Sequence, residues 1–185
     1  EPPIMSSSVQ TQQLVSESLH WRYAVKKFDS QKKINASDWK LLEDSLVLSP
    51  SSYGTQPWKF LVIENKELRE KLKVVSWNQS QVVDASHFVV FLYKEKMDVA
   101  HLQKYVQRMA EVRGVPVENL KDFQKMLVAD LVDGPRANKI SEWAQRQTYI
   151  AMGFLMETAA LLKIDSCPME GLEADKYDEI LNLKN

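Results

Sequence analysis

The stretch IAMGFLMETAALL, Ile150 to Leu162, is the most apolar in the chain and carries a single charge, Glu157. It is too short to span a bilayer. It continues a helical pattern from Ser141 to Lys163, through Trp143, Ile150, Phe154, Leu155 and Ala159, so it reads as a core helix whose second half is almost wholly buried. A helix apolar nearly all round needs other elements packed about it. At 185 residues and 44% hydrophobic content, the chain has the material for one such core.

The elements around that helix follow from periodicity. A helix is expected from about Gln12 to Trp21. A second, opened by Ser37 as N-cap, carries Trp39, Leu42 and Leu46 and is ended by Pro50. KFLVIE, Lys59 to Glu64, reads as a strand, a short charged helix follows from Glu67, and HFVVFLYK, His87 to Lys94, reads as a strand buried on both faces. Leu102, Tyr105, Val106 and Met109 mark a helix from Val99, which Gly114 and Pro116 separate from a shorter one bearing Leu120, Phe123 and Leu127. Pro168 and Gly171 follow the long helix, and Tyr177, Ile180 and Leu181 define a last amphipathic piece. Residues 1–11, proline- and serine-rich at their start, are expected to be a flexible extension, and residues 12–185 one domain. The fold class is α+β, a small mixed or antiparallel sheet surrounded by helices.

Composition narrows the chemistry. With 24 basic and 25 acidic residues there is no broad electrostatic footprint for nucleic acid or an anionic membrane. One cysteine, Cys167, cannot form an internal disulfide, and with no leader pattern a cytoplasmic location is the expectation. Phosphate-loop, dinucleotide-fingerprint, nucleophile-elbow and metal-ligand motifs are missing, and His20, His87 and His101 lie far apart. His87 reads as a structural hydrogen-bonding histidine and Cys167 as an inert thiol. What remains is a set of polar segments adjoining apolar elements: RYAVKKF from Arg22, SPSSYGTQPW from Ser49, NQSQ from Asn78 and PMEG from Pro168. Singly, each reads as a helix end or a turn. A polar loop as long as SPSSYGTQPW, however, asks for a ligand or a partner chain.

In this order and spacing the segments resemble the FMN-dependent nitroreductase family over essentially Gln12 to Asn185. HWRYAVKKF resembles its opening Arg-x-Ser-x-Lys-x-Phe segment, SPSSYGTQPW its Ser-Pro-Ser-Ser…Gln-Pro-Trp signature, NQSQVVDASHFVVF its Asn-x-x-Lys…Asp-Ala region, and PMEGL its Pro-x-Glu-Gly-Phe segment. The resemblance implies a two-fold homodimer with FMN sites built from both chains, using NADH or NADPH to reduce a small-molecule electron acceptor. It implies cofactor contacts at Arg22, Tyr23, Ala24 and Lys26, with Arg22 on the phosphate and ribityl end and Lys26 at the pyrimidine side of the ring. Asn78 and Gln81 would meet the ring's polar edge. Pro168, Met169, Glu170 and Gly171 would also contact the cofactor, Pro168 packing on one ring face, the backbone N–H near Glu170 directed at the reactive ring nitrogen, and Gly171 allowing close backbone approach. Pro50, Ser51 and Ser52 would reach the phosphate of the neighbouring subunit's flavin with hydroxyl and backbone donors. Tyr53, Trp77, Phe123, Met126 and Leu127 would line the acceptor pocket.

Such residues suit a flavin. An ammonium stabilises the charge that reduction places on the pyrimidine side, amides match alternating carbonyl and N–H groups, and proline offers an apolar face without a donor. Two positions depart from the family pattern. Ala24 stands where a serine is usual, and Gln81 replaces a lysine, so the flavin is expected to be harder to reduce. Family members continue beyond a segment like YDEILNLKN with a strand along the partner's sheet and a basic pair at the phosphate. The expectation is that such a tail belongs to the physiological protein, and that Arg22, with Lys27 second, is the main charged phosphate contact without it. A reductive dehalogenase, a flavin reductase, or a non-catalytic flavin-binding or interaction module remain alternatives.

Overall fold

The computed structural model describes residues 9–183. Its elements are α1 (Val9–Trp21), α2 (Ala36–Val47), β1 (Trp58–Val62), α3 (Lys66–Val74), α4 (Gln81–Asp84), β2 (Val89–Tyr93), α5 (Val99–Arg113), α6 (Lys121–Leu131), α7 (Ile140–Leu161) and α8 (Ala174–Ile180). Short 3-10 turns occupy Ser52–Gly54, Val117–Leu120 and Ala137–Lys139. β1 and β2 pair antiparallel, with the Ile63 N–H donating to the Phe88 carbonyl at 2.8 Å and the Lys94 N–H to the Pro57 carbonyl at 2.9 Å. The α+β class is therefore as read from the pattern.

The helix limits have local causes. α1 begins at Val9, three residues before the expected start, and the rest of the loose extension foreseen there lies outside the described residues. α2 is capped by Asn35, not Ser37. The Asn35 Oδ1 accepts the Asp38 N–H at 2.9 Å and the Ser37 hydroxyl at 2.7 Å, so the helix starts earlier and Ser37 supports the cap. Asn65 and Asp98 cap α3 and α5 in the same way. Gly114, at φ 63°, ends α5 in the left-handed conformation that favours glycine.

The chain divides into two compact units. One comprises the chain up to Ser49, Val62–Val90 and the chain from Ala151; the other comprises Pro50–Leu61 and Phe91–Ile150. In the first, α3 packs on α4 and α8, burying Leu72 and Val82, and the hydroxyls of Ser76 and Tyr177 share a buried hydrogen bond of 2.6 Å. Arg69 is buried there without an ion pair among the described residues. Its Nε donates to the Ile63 carbonyl at 2.6 Å, Nη1 to Ala85 at 2.6 Å and Nη2 to Ser86 at 3.2 Å. The second unit holds a core of Met97, Leu102, Val106, Leu127, Leu131, Ile140, Trp143 and Ala144.

Two burial expectations are corrected. In β2 only Val90 is buried, because among the described residues β1 is its one neighbouring strand; Val89, Phe91 and Leu92 stay half-covered and Tyr93 is exposed. The second half of α7 buries Ala151, Ala159 and Ala160 but leaves Phe154 46% exposed, so its small residues face inward and part of its apolar surface does not.

Candidate cofactor site

Three of the four polar segments meet within the first unit. After α1 the chain runs extended, Ala24 forms a parallel bridge with Ser166, and the Val25 N–H donates to the Ser166 carbonyl at 3.2 Å. That bridge sets Ala24 and Val25 beside Ser166, at the entrance to the Pro168–Gly171 segment. The third segment leaves α3 through Trp77 and Asn78, both at positive φ, 54° and 55°. The Asn78 N–H donates back to the Lys73 carbonyl at 3.1 Å. Each such non-glycine conformation costs about 1–2 kcal/mol. The turn brings Gln79 against the Pro168–Gly171 segment, its Nε2 donating to the Gly171 and Ser76 carbonyls at 3.1 Å each.

Gly171 is required here for a reason beyond ligand access. A Cβ at this position would lie 2.7 Å from Cε3 of Trp77 and 2.9 Å from the Gln79 amide nitrogen. The Trp77 indole, 72% exposed overall, rests where a side chain would stand. Gly171→Ala is therefore expected to push the indole away, shifting Trp fluorescence and weakening flavin binding about tenfold, as measured by flavin titration. Unchanged binding would separate Trp77 from the site.

The donors present fit a flavin nucleotide. The Nε of half-buried Arg22 is enclosed and has no hydrogen-bond partner among the described residues. Leaving such a donor unsatisfied costs about 1–3 kcal/mol, and a phosphate oxygen would satisfy it. Of the other residues expected at the cofactor, Tyr23, Lys26, Asn78, Pro168 and Glu170 are exposed, and Ala24 and Met169 are half-buried. Gln81 is corrected. It is 6% exposed and its amide nitrogen faces the Cys167 sulfur at 4.0 Å, so it does not share an open edge with Asn78. Gln79, which sequence reasoning passed over, makes the contact to the Pro168–Gly171 segment. The Cys167 thiol donates to the Pro168 carbonyl at 3.6 Å.

His87 is structural, as expected. It stacks on Trp39 with ring centres 3.9 Å apart, and its Nδ1 shares a 3.0 Å hydrogen bond with the Ser86 hydroxyl. Burial, helped by the Arg69 charge, holds its pKa below the ordinary histidine value.

The serine loop belongs to the second unit from Pro50 onward. Pro50 is exposed and Ser51 and Ser52 are half-buried. The Ser51 Oγ accepts the Gln56 N–H at 3.0 Å, which leaves its own proton to donate. The Ser52 backbone N–H, expected to serve a phosphate, instead donates to the Gln147 Oε1 at 2.8 Å, so from this residue only the hydroxyl is left to offer. Tyr53 was expected in an open pocket. Its hydroxyl donates to the Asp130 carboxylate at 2.7 Å and its ring packs on the core. On α6, Phe123 is half-buried and Met126 exposed, but Leu127 is fully buried in the core and cannot line a pocket, because it occupies the inward face of its helix.

Known proteins share this sequence pattern and fold. A model of the nitroreductase family matches residues 19–185. A Staphylococcus epidermidis protein named "putative NAD(P)H nitroreductase" is 43% identical over 180 residues, which cover 94% of this chain and 80% of that protein. A crystal structure from Bacillus subtilis, also named a putative nitroreductase, superposes with a TM-score of 0.74 at 25% identity, covering 95% of this chain and 82% of the other. Another, from Exiguobacterium sibiricum in complex with FMN, superposes at 0.75 with 21% identity, covering 98% and 83%. A family match running from the end of α1 through α8, joined to a shared fold, leads to one conclusion: the chain belongs to the nitroreductase family.

Proposed function

We propose that this chain is an NAD(P)H-dependent flavin oxidoreductase that binds FMN in the cradle of Arg22–Lys26, Trp77–Gln79 and Pro168–Gly171. The observation that carries the reading is the enclosed Arg22 Nε, without a hydrogen-bond partner among the described residues and two residues before the Ala24–Ser166 bridge that joins the first of these segments to the chain leading into the last. Bound FMN supplies a ring that accepts a hydride from NADH or NADPH and passes two electrons to an acceptor. Arg22 holds the phosphate, and Lys26 stabilises negative charge on the pyrimidine side. Asn78 pairs with the ring edge, and Pro168 covers a face without competing for hydrogen bonds. The exposed Trp77 indole walls the slot and favours flat acceptors such as nitroaromatics, quinones or enones.

The working unit in this reading is a cytoplasmic homodimer in which the serine loop completes the neighbour's site. Supporting it, α1 exposes Leu14, Val15 and Leu19 and α7 exposes Phe154, and the two helices are joined where the Ser18 hydroxyl donates to Glu157 at 2.7 Å. Apolar residues gathered in this way call for a covering surface.

Steady-state kinetics test the activity. NAD(P)H oxidation that requires both FMN and a quinone or nitroaromatic, with parallel double-reciprocal lines, is expected; oxidation independent of FMN contradicts it. Lys26→Met removes one charge-assisted contact of about 1.5 kcal/mol and should lower the two-electron midpoint potential by about 30 mV. An unchanged potential would remove Lys26 from the ring.

A further inference from the structure

The serine loop sits in a conformation it would not adopt unaided. Tyr53 lies at φ 57° and ψ 1°, a left-handed setting that is unusual for an aromatic residue, and Gly54 follows at φ 71°. Such strain persists only where surrounding groups over-determine it. Four contacts do so here, all within one unit. The Tyr53 hydroxyl donates to Asp130 at 2.7 Å, and Arg136 pairs with the same carboxylate while reaching the Tyr53 oxygen at 3.4 Å. From α5, the Tyr105 hydroxyl donates to the Tyr53 carbonyl at 2.6 Å and fills the space beside Gly54, where a Cβ would lie 2.7 Å from that oxygen. From α7, Gln147, 6% exposed, accepts the Ser52 N–H with one amide atom and donates to the Trp143 carbonyl at 3.0 Å with the other.

Every contact falls on Ser52 or Tyr53, the positions that set where the two serine hydroxyls point. None uses up those hydroxyls as donors. We propose that Tyr105, Asp130, Arg136 and Gln147 are positioning residues that clamp the serine loop through Ser52 and Tyr53, so that the Ser51 and Ser52 hydroxyls are preorganised for the terminal phosphate of the neighbouring subunit's FMN. Tyr53 is then the handle of the clamp. Burial keeps the Tyr105 phenol protonated, as a donor must be. Preorganised donors bind more tightly because the loop's ordering has already been met by folding.

The inference rests on the flavin reading, and comparing two flavins keeps the two separable. FMN carries the phosphate and riboflavin lacks it. Wild type, Tyr105→Phe, Asp130→Ala and Asp130→Asn are titrated with each, using flavin fluorescence quenching. Wild type should prefer FMN. Tyr105→Phe and Asp130→Ala should each lower FMN affinity about tenfold, the scale of one misplaced charge-assisted hydrogen bond, and change riboflavin affinity less than about twofold. Asp130→Asn keeps an acceptor for the Tyr53 hydroxyl and should retain most of the preference. Tyr105→Phe removes a single oxygen and guards against a variant that fails to fold. An FMN preference unchanged in both variants, or equal weakening of both flavins, overturns the clamp and leaves the flavin reading standing. Wild type that binds both flavins equally also overturns the clamp alone. Wild type that binds neither overturns both.

Discussion

Arg22→Leu is expected to lower FMN affinity by about one to two decades without lowering the melting temperature of the flavin-free protein. The two halves of this result share one cause. In the free chain the enclosed Nε has no partner among the described residues, so its removal breaks no hydrogen bond there and relieves an unsatisfied donor. In the complex the same atom meets a phosphate oxygen and its charge counts in full. Equilibrium titration with FMN, beside calorimetry of the flavin-free variant, reads both. Unchanged affinity with a melting temperature several degrees lower would make Arg22 a structural residue.

Arg69→Met should have the opposite pattern, a large loss of stability. Three carbonyls lose their donor at once, that of Ile63 in a buried place and those of Ala85 and Ser86 in partly buried ones. Leaving them unpaired costs about 3 kcal/mol or more, which for a chain of this size corresponds to a fall in melting temperature of roughly 6–12 °C. Arg69→Lys should not restore it, since an ammonium cannot match the fixed fork of a guanidinium. Thermal unfolding of the two variants checks this, and a shift under about 2 °C would show that the carbonyls find other partners. The consequence reaches the site, because α3, which carries Arg69, leads directly into Trp77–Gln79.

Periodicity and punctuation made most of the fold legible. α5 ends at Gly114 because a left-handed residue was needed there, and α6 and α8 lie where their apolar spacing put them. The α2 start was misjudged because Asn35 and Ser37 are both good caps and only the coordinates show which oxygen takes the Asp38 N–H. The burial of β2 and of the second half of α7 was overread. An apolar run states that a surface wants cover, not what covers it.

In the site, residue identity was more legible than residue orientation. The Arg22 and Pro168 segments lie far apart in sequence yet meet through the Ala24–Ser166 bridge. Which of two amides, Gln79 or Gln81, faces Gly171 depended on the positive φ of Trp77 and Asn78, which nothing in NQSQ announces. Leu127 was placed in the pocket because of its neighbours in sequence, although its helical phase points it into the core. Asp130, Arg136 and Gln147 carried no signal at all. They lie in and around ordinary helical segments, and their role follows from the strained loop they meet.

The central claim is that these segments form a flavin site that NAD(P)H can reduce. The absorption spectrum of the purified protein after incubation with FMN and removal of free ligand tests it most directly. The account predicts a yellow protein with one FMN per chain, bleached anaerobically by one equivalent of NADH or NADPH and restored by a quinone. A colourless protein, or a bound flavin that neither nucleotide bleaches, would contradict it.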